Sequence, residues 1–296
     1  MHMKNIGLIG AGLMGHGIAS NLLKKGYALT VLEHAGNQPL DALLAAGAQT
    51  AATYAQIAQG VELIILCVTG SPQVEDVLLS PQGVLSAVKP DTVIVDCSTA
   101  VPASTERMAA AVVAAGGLFM DAPMTRTAKE AAEGRLNLLV GADADLLARC
   151  MPVLRCFAEN ITHAGPVGSG HRMKLLHNYV SLGTATLIAE AAACARQSGA
   201  SMETFVEVLS KGGGAGVALE RMKPYLLTGD ASGLRFTVSN ALKDISYYHQ
   251  MAQDTGSDCN IADSVKNTLE KANVGENSQA FVPELVRIIA ERGAKT

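Results

Sequence analysis

Lys174 and Asn178 stand four residues apart, and His171 and His177 each lie three residues from that lysine. Spacings of three and four place all four side chains on one face of a helix. A lysine ammonium there can hand a proton to a carbonyl oxygen undergoing reduction. As a neutral amine, its pKa lowered by burial, it can take the proton from an alcohol instead. The Asn178 amide can hold the same oxygen without titrating. Taken alone, a lysine on a helix is most often a solvated surface group, so the row needs support from elsewhere in the chain.

A second cluster lies near the start. Gly10-Ala11-Gly12-Leu13-Met14-Gly15 follows an apolar run, Asn5–Ile9, and opens a stretch with helical spacing. In a strand–turn–helix setting each glycine has a task. Gly10 permits the tight turn, Gly12 lets backbone approach a pyrophosphate, and Gly15 lets helix and strand pack closely. The helix N-terminus adds N–H donors and the positive end of its dipole. A glycine-rich turn without a ligand is the plain alternative. Against it, the next strand ends in Glu33, eighteen residues past Gly15. A carboxylate there accepts both ribose hydroxyls of NAD and repels a 2′-phosphate. A protonated His34 beside it would tolerate that phosphate, so the reading is NAD with NADP left open.

These clusters need elements to hold them. In the first half, β-rich runs (Asn5–Ile9, Ala28–Glu33, Glu62–Val68, Thr92–Asp96, Leu118–Asp121, Asn137–Val140) alternate with helical stretches. The helices fall near residues 13–25, 40–46, 72–79, 104–115 and 143–154. That alternation predicts βαβ units and a parallel, doubly wound sheet. Past Gly165-Pro166 the rhythm changes. From Ser169 to Ser198 there is no proline, and Gly183 is the one glycine beyond the first turn. This predicts a helix of about 30 residues, roughly 45 Å long. Further helices are expected near 202–210, 217–227, 240–255, 261–272 and 281–292. The glycine run Gly212–Gly216 has no strand before it, so it reads as a connection between helices, not a second phosphate loop. The domains are therefore 1–165, an NAD(P)-binding α/β unit, and 166–296, an all-helical unit for substrate and oligomerisation, joined by the long helix.

Composition bounds the function. A formal charge of −4 lacks the basic footprint of a nucleic-acid binder. Charged residues are 17% against 49% hydrophobic, which rules out a disordered chain and points to extra buried surface at a subunit interface, a homodimer or homotetramer. The glycines at 10, 12, 15 and 17 and the trailing Lys24-Lys25 argue against a signal peptide in the apolar opening. With six scattered cysteines and no apolar span for a membrane, the expected setting is cytoplasmic.

Four segments occur in a telling order: Ile6–Gly26 (IGLIGAGLMGHGIASNLLKKG), Asp121-Ala122-Pro123-Met124, Gly168–Asn178 (GSGHRMKLLHN) and Lys243-Asp244. Together they resemble the signatures of the β-hydroxyacid dehydrogenases, the family of 3-hydroxyisobutyrate dehydrogenase, essentially from end to end. The resemblance implies a Rossmann domain followed by a helical domain. It also implies Lys174 as the catalytic lysine, Asn178 as the substrate-orienting asparagine, and Lys243 as the lysine that closes over the nicotinamide. Leu13, Met14, Val68 and Thr99 fall on its cofactor-contact positions. Two departures stand out. His177 replaces the first asparagine of the usual K-x-x-N-N. Met124-Thr125-Arg126-Thr127 replaces the V-S-G-G that binds a substrate carboxylate in many members, and it is similar to the arginine-threonine pair of sulfolactaldehyde reductases. The imine reductase branch replaces the lysine, so Lys174 argues against it.

The expectation is an oxidoreductase that moves hydride between a nicotinamide cofactor and a small β-hydroxy acid or its semialdehyde, without a metal. Arg126, Thr125, His177 and Asn178 would hold the small anionic substrate, and Gly10, Gly12, Leu13, Met14, Gly15, Glu33, Val68, Thr99 and Lys243 the cofactor. Arg126 suits an anion because a guanidinium offers a planar fork of donors and keeps its charge; on a β-to-α loop it could equally be an ordinary surface residue. The first alternative is a reductase of sulfolactaldehyde, a hydroxypropanesulfonate enzyme. The alternative from another class is a silent dinucleotide sensor, which would need no proton donor.

Overall fold

The computed structural model describes residues 3–293, so the outermost residues of both expected ranges, 1–2 and 294–296, lie outside the described residues. The chain divides into two units, one up to Lys174 and one from Leu175 onward. The division falls inside the long helix Ser169–Gln197.

The first unit is built on a nine-stranded sheet of β1 (Asn5–Ile9), β2 (Ala28–Leu32), β3 (Gln49–Ala51), β4 (Leu63–Leu66), β5 (Val93–Asp96), β6 (Leu118–Asp121), β7 (Met124–Thr125), β8 (Leu136–Gly141) and β9 (Ala158–Gly165). Their order is β3-β2-β1-β4-β5-β6-β8-β7, with β9 also paired to β8. Strands β1 to β6 are parallel, as in β1 with β4, where Ile6 faces Leu63 and Ile9 faces Leu66. The reason is visible in burial. Leu63 and Ile65 of β4 enter one core with Ile6, Leu8, Ile18 and Phe157. Ile64 and Leu66 enter another with Ile9, Ile57, Leu78 and Val112. A strand buried on both faces must be apolar along its buried length, which is why Leu63–Leu66 reads as an unbroken apolar run.

The parallel, doubly wound sheet carries a mixed edge, where β8 runs antiparallel to β6 and β7. The chain turns back there through the two-residue β7 and the short helix Ala128–Glu133. Five elements carry too little pattern to be predicted: β3, β7, β9, this short helix, and Tyr54–Gly60. Strand β9 (AENITHAG) is mostly exposed, so it has no apolar run to announce it.

The second unit is helical, with helices Met202–Lys211, Val217–Thr228, Val238–Asp254, Asn260–Ala272 and Leu285–Gly293 beside the rest of the long helix. Their stripes meet in a core of Leu182, Ala189, Met222, Ile245, Leu269 and Val286 among others. Burying each Leu or Ile stabilises by roughly 1.5–3 kcal/mol. Among the described residues, no helix is long and apolar enough to cross a membrane. All six cysteines are thiols. Burial pushes Cys67 up to about 12 and Cys150 to about 11, so both pack as small apolar residues.

Candidate active site

The turn after β1 is shaped by close approach. Gly10 has φ +99, and a Cβ on it would lie 2.3 Å from the Cys67 carbonyl oxygen. A Cβ on Gly15 would sit 1.9 Å from the Gly10 oxygen, whereas one on Gly12 would meet nothing within 4 Å. The turn is thus sealed against the sheet and open on its outer side, over the N-terminus of helix Leu13–Lys24, whose first N–H groups have no intrahelical acceptor. That geometry fits a dinucleotide pyrophosphate. Asn37 braces it, accepting from the Ala11 N–H at 3.1 Å and donating to the Leu32 carbonyl at 2.8 Å. Sequence reasoning passed over Asn37, since an asparagine in a loop carries no spacing signal.

Glu33 and His34 follow β2 and line an open cavity of about 530 Å³ with Thr53, Tyr54 and Gln82. His34 Nδ1 accepts from the Gly36 N–H at 3.0 Å. Across the sheet, the Val68 N–H donates to Ser98 Oγ at 3.1 Å and the Ser98 N–H to Asp96 Oδ1 at 2.9 Å. This ties the ends of β4 and β5 together just before the half-buried Thr99.

Asp121 ends β6 and is fully buried. Its carboxylate accepts the N–H of Gly168 at 2.7 Å and of His171 at 2.8 Å, capping the first turn of the long helix. Burial pushes its pKa up; the His171 ring and these N–H groups pull it partly back. Gly170 is required here, because a Cβ would fall 2.3 Å from the Leu139 carbonyl oxygen. His171, read from spacing as a member of the lysine's row, is instead fully buried. Its Nε2 donates to the Ser98 carbonyl at 3.1 Å, and its Nδ1 meets Thr105 Oγ1 at 2.8 Å. It anchors the helix.

Lys174, one turn further on, is half-buried and donates from Nζ to the Met124 carbonyl at 2.6 Å. That carbonyl opens the Met124-Thr125-Arg126-Thr127 segment. Thr125 Oγ1 accepts from Asn137 Nδ2 at 3.0 Å. Thr127 caps helix Ala128–Glu133 in a capping box with Glu130. Arg126 sits at φ +79, a left-handed backbone that favours glycine. Its guanidinium bonds the Glu159 carboxylate and the Arg135 carbonyl.

In the second unit, Asn178 is buried and His177 exposed. Asn178 Nδ2 donates to Asp244 Oδ2 at 2.6 Å, which fixes the amide's orientation. Its Oδ1 therefore faces His177 Nδ1 at 2.9 Å, so that nitrogen carries a proton. Asp244 Oδ1 meets Lys243 Nζ at 2.9 Å, and Lys243 lies 5.2 Å from the centre of the Tyr247 ring. Lys243–Asp244–Asn178–His177 is a continuous polar chain centred on the buried Asp244.

Comparison with known proteins decides the family. Residues 5–165 match the family model described as the NAD binding domain of 6-phosphogluconate dehydrogenase. Residues 168–289 match that described as NAD-binding of NADP-dependent 3-hydroxyisobutyrate dehydrogenase. The chain belongs to the 3-hydroxyisobutyrate dehydrogenase family. It is an NAD(P)-dependent oxidoreductase of that family. An NAD-dependent L-serine dehydrogenase of Pseudomonas aeruginosa is 32% identical over 96% of this chain and 98% of its own length. A 3-sulfolactaldehyde reductase of Escherichia coli is 31% identical over 99% of both chains. The Mycobacterium tuberculosis 3-hydroxyisobutyrate dehydrogenase structure with L-serine has a TM-score of 0.85, covers 96% of this chain and 98% of its own, and shares the fold at 23% identity.

Within this family fold, the first unit gathers the glycine turn, Glu33, Val68, Thr99 and Lys174, with Thr125 and Arg126 on the segment beginning at the lysine's acceptor. The second unit gathers His177, Asn178 and Lys243 around Asp244. Asp244 was legible only as half of the Lys243-Asp244 motif. Asp121 was likewise legible only as a motif letter, because a capping contact forty-seven residues away has no local signature.

Proposed function

We propose that this protein interconverts a small β-hydroxy acid and its semialdehyde, with NAD preferred over NADP. The observation that carries the reading is Lys174, half-buried with its Nζ held by a backbone carbonyl in the unit that bears the dinucleotide turn. A lysine so placed is a positioned proton donor, which a dinucleotide sensor would not need. The dinucleotide, when bound, supplies or accepts the hydride. Gly10, Gly12, Leu13, Met14 and Gly15 hold its phosphates, Glu33 its ribose diol, and Val68, Thr99 and Lys243 the remainder. Lys174 gives its proton to the carbonyl oxygen during reduction and takes it back during oxidation. Asn178, one turn along the same helix, orients that oxygen through its amide, itself held by Asp244. His177 donates a hydrogen bond to the acid group. The Glu33 carboxylate beside the ribose accepts its hydroxyls and repels a 2′-phosphate, which supports NAD.

A sulfonate substrate is the second reading, favoured by Arg126-Thr127 and the 31% identical 3-sulfolactaldehyde reductase. Arg126 must then exchange its Glu159 carboxylate for the substrate anion, with Thr125 as neighbour. Small 3-hydroxy acids, hydroxypropanesulfonates and the matching aldehydes, each offered with NAD and NADP while absorbance of the reduced nicotinamide is followed, separate the two readings. Turnover of none of them overturns both.

The same reading includes a second copy of the chain and a reducing, cytoplasmic setting. Val180 and Leu187, seven residues apart on the long helix, are 66% and 63% exposed, an apolar stripe suited to a symmetric homodimer or a tetramer built from it. Light scattering tests it: a monomer at micromolar concentration refutes the assembly.

A further inference from the structure

His249, Cys259 and Asp263 converge where helices Val238–Asp254 and Asn260–Ala272 meet, and none of the three is among the residues assigned above. His249 is on helix Val238–Asp254; Cys259 caps and Asp263 belongs to helix Asn260–Ala272, four residues apart and hence on one face. His249 Nε2 lies 2.6 Å from Asp263 Oδ1, Cys259 Sγ lies 3.8 Å from Asp263 Oδ2, and the three donor atoms all fall within 4.8 Å of one another.

We propose that this triad is a binding site for a zinc-like divalent cation that pins the two helices together. Imidazole nitrogen, thiolate sulfur and carboxylate oxygen are the donor set of zinc, whereas calcium and magnesium demand oxygen alone. The edges of a tetrahedron around zinc with these donors are about 3.3–3.6 Å, from bond lengths of about 2.0–2.3 Å. The observed 2.6 and 3.8 Å bracket that range, so side-chain adjustments of about an ångström complete the geometry. Water takes the fourth position, since Asp263 is half exposed.

Charge agrees with geometry. An Asp carboxylate and a Cys thiolate together balance the two positive charges of the ion. Without a cation the surroundings work against the thiolate: desolvation, then the Asp263 and Asp258 carboxylates, push the Cys259 thiol up. On binding, Sγ loses its proton to solvent and its electron pair forms the metal bond. His249 ligates as the neutral imidazole through Nε2, with its single ring proton on Nδ1. Helix Val238–Asp254 also carries Lys243 and Asp244, so the bound ion stiffens the element that holds Asn178.

The test is titration of the chelator-treated full chain with Zn²⁺ and Co²⁺, beside the variants Cys259→Ser, His249→Gln and Asp263→Asn. One equivalent of Co²⁺ is expected to produce a thiolate-to-cobalt charge-transfer band in the near ultraviolet. Cys259→Ser should abolish the band, and each variant should weaken Zn²⁺ at least about tenfold. Affinity should rise with pH as the thiol proton is released. Dinucleotide binding should persist in every variant, showing that the fold is intact. No stoichiometric binding by the parent overturns the site. So does a band that survives in Cys259→Ser, which would place the metal on another thiol. His249→Gln and Asp263→Asn alter exposed or half-buried groups, so equal Zn²⁺ affinity in both would also refute the triad if Cys259→Ser fails to fold.

Discussion

Arg126→Gly separates what this residue does for substrate from what it does for the fold. The backbone at 126 has φ +79, where a non-glycine residue pays about 1–2 kcal/mol, and glycine removes that strain. Against this, glycine adds about 0.5–1 kcal/mol of unfolded-chain entropy. The lost pair with Glu159 counts for less than about 1 kcal/mol, because its side chains are 26% and 46% exposed. The terms nearly cancel, so urea unfolding should shift by less than about 1 kcal/mol. Activity should behave differently. A charge-assisted, forked contact to a substrate anion is worth about 2–4 kcal/mol, so kcat/KM for acidic substrates should fall roughly 30- to 1000-fold. Glu159→Gln probes the same competition from the other side. Releasing the guanidinium from an exposed partner should raise kcat/KM for an anion by up to about fivefold, the equivalent of roughly 1 kcal/mol. If Arg126→Gly leaves kcat/KM within about threefold for every acidic substrate, the arginine serves only its contacts with Glu159 and the Arg135 carbonyl, and the anion-clamp assignment is wrong.

Lys174→Ala should lower kcat by about 10²–10⁴-fold while calorimetric dinucleotide binding survives; near-full turnover would remove the proton-transfer role and revive the sensor. Glu33→Ala should weaken NAD more than NADP, and equal changes in both KM values would place the selectivity elsewhere. Asp121→Asn retains one acceptor for two backbone N–H groups and should destabilise by about 1–3 kcal/mol, read by urea unfolding. Its pH dependence has a definite sign. With the folded pKa raised by burial, the protonated carboxyl is favoured in the fold, so the Asp121 contribution is fully present below the ordinary carboxylate range and declines as pH rises through the folded pKa. The parent should show that decline and Asp121→Asn should lack it; a difference between the two that does not change with pH refutes the assignment.

What was legible in the sequence follows from how local each signal is. β4 and β5 were readable because both faces of the strand are buried and the residues are apolar up to Asp96 at the end of β5, and the long helix because nothing in it breaks a helix. The glycine turn was readable because a Cβ at Gly10 or Gly15 would strike backbone, a steric demand that leaves glycine as the only letter. Arg126 shows the opposite case. Its residue type suggested an anion, yet its partner is Glu159 on a strand too polar and exposed to be predicted at all. His171 makes the same point within one motif. Helical spacing put it in the lysine's row, but spacing gives only a direction around the helix axis and is silent on what the helix meets there. Met124 offers Lys174 a carbonyl oxygen, whereas Thr105 and the Ser98 carbonyl enclose the imidazole in the core of the first unit. A row of polar residues at positions three and four apart therefore names the candidates for chemistry, and the burial of each one's partners decides which of them performs it and which holds the helix in place.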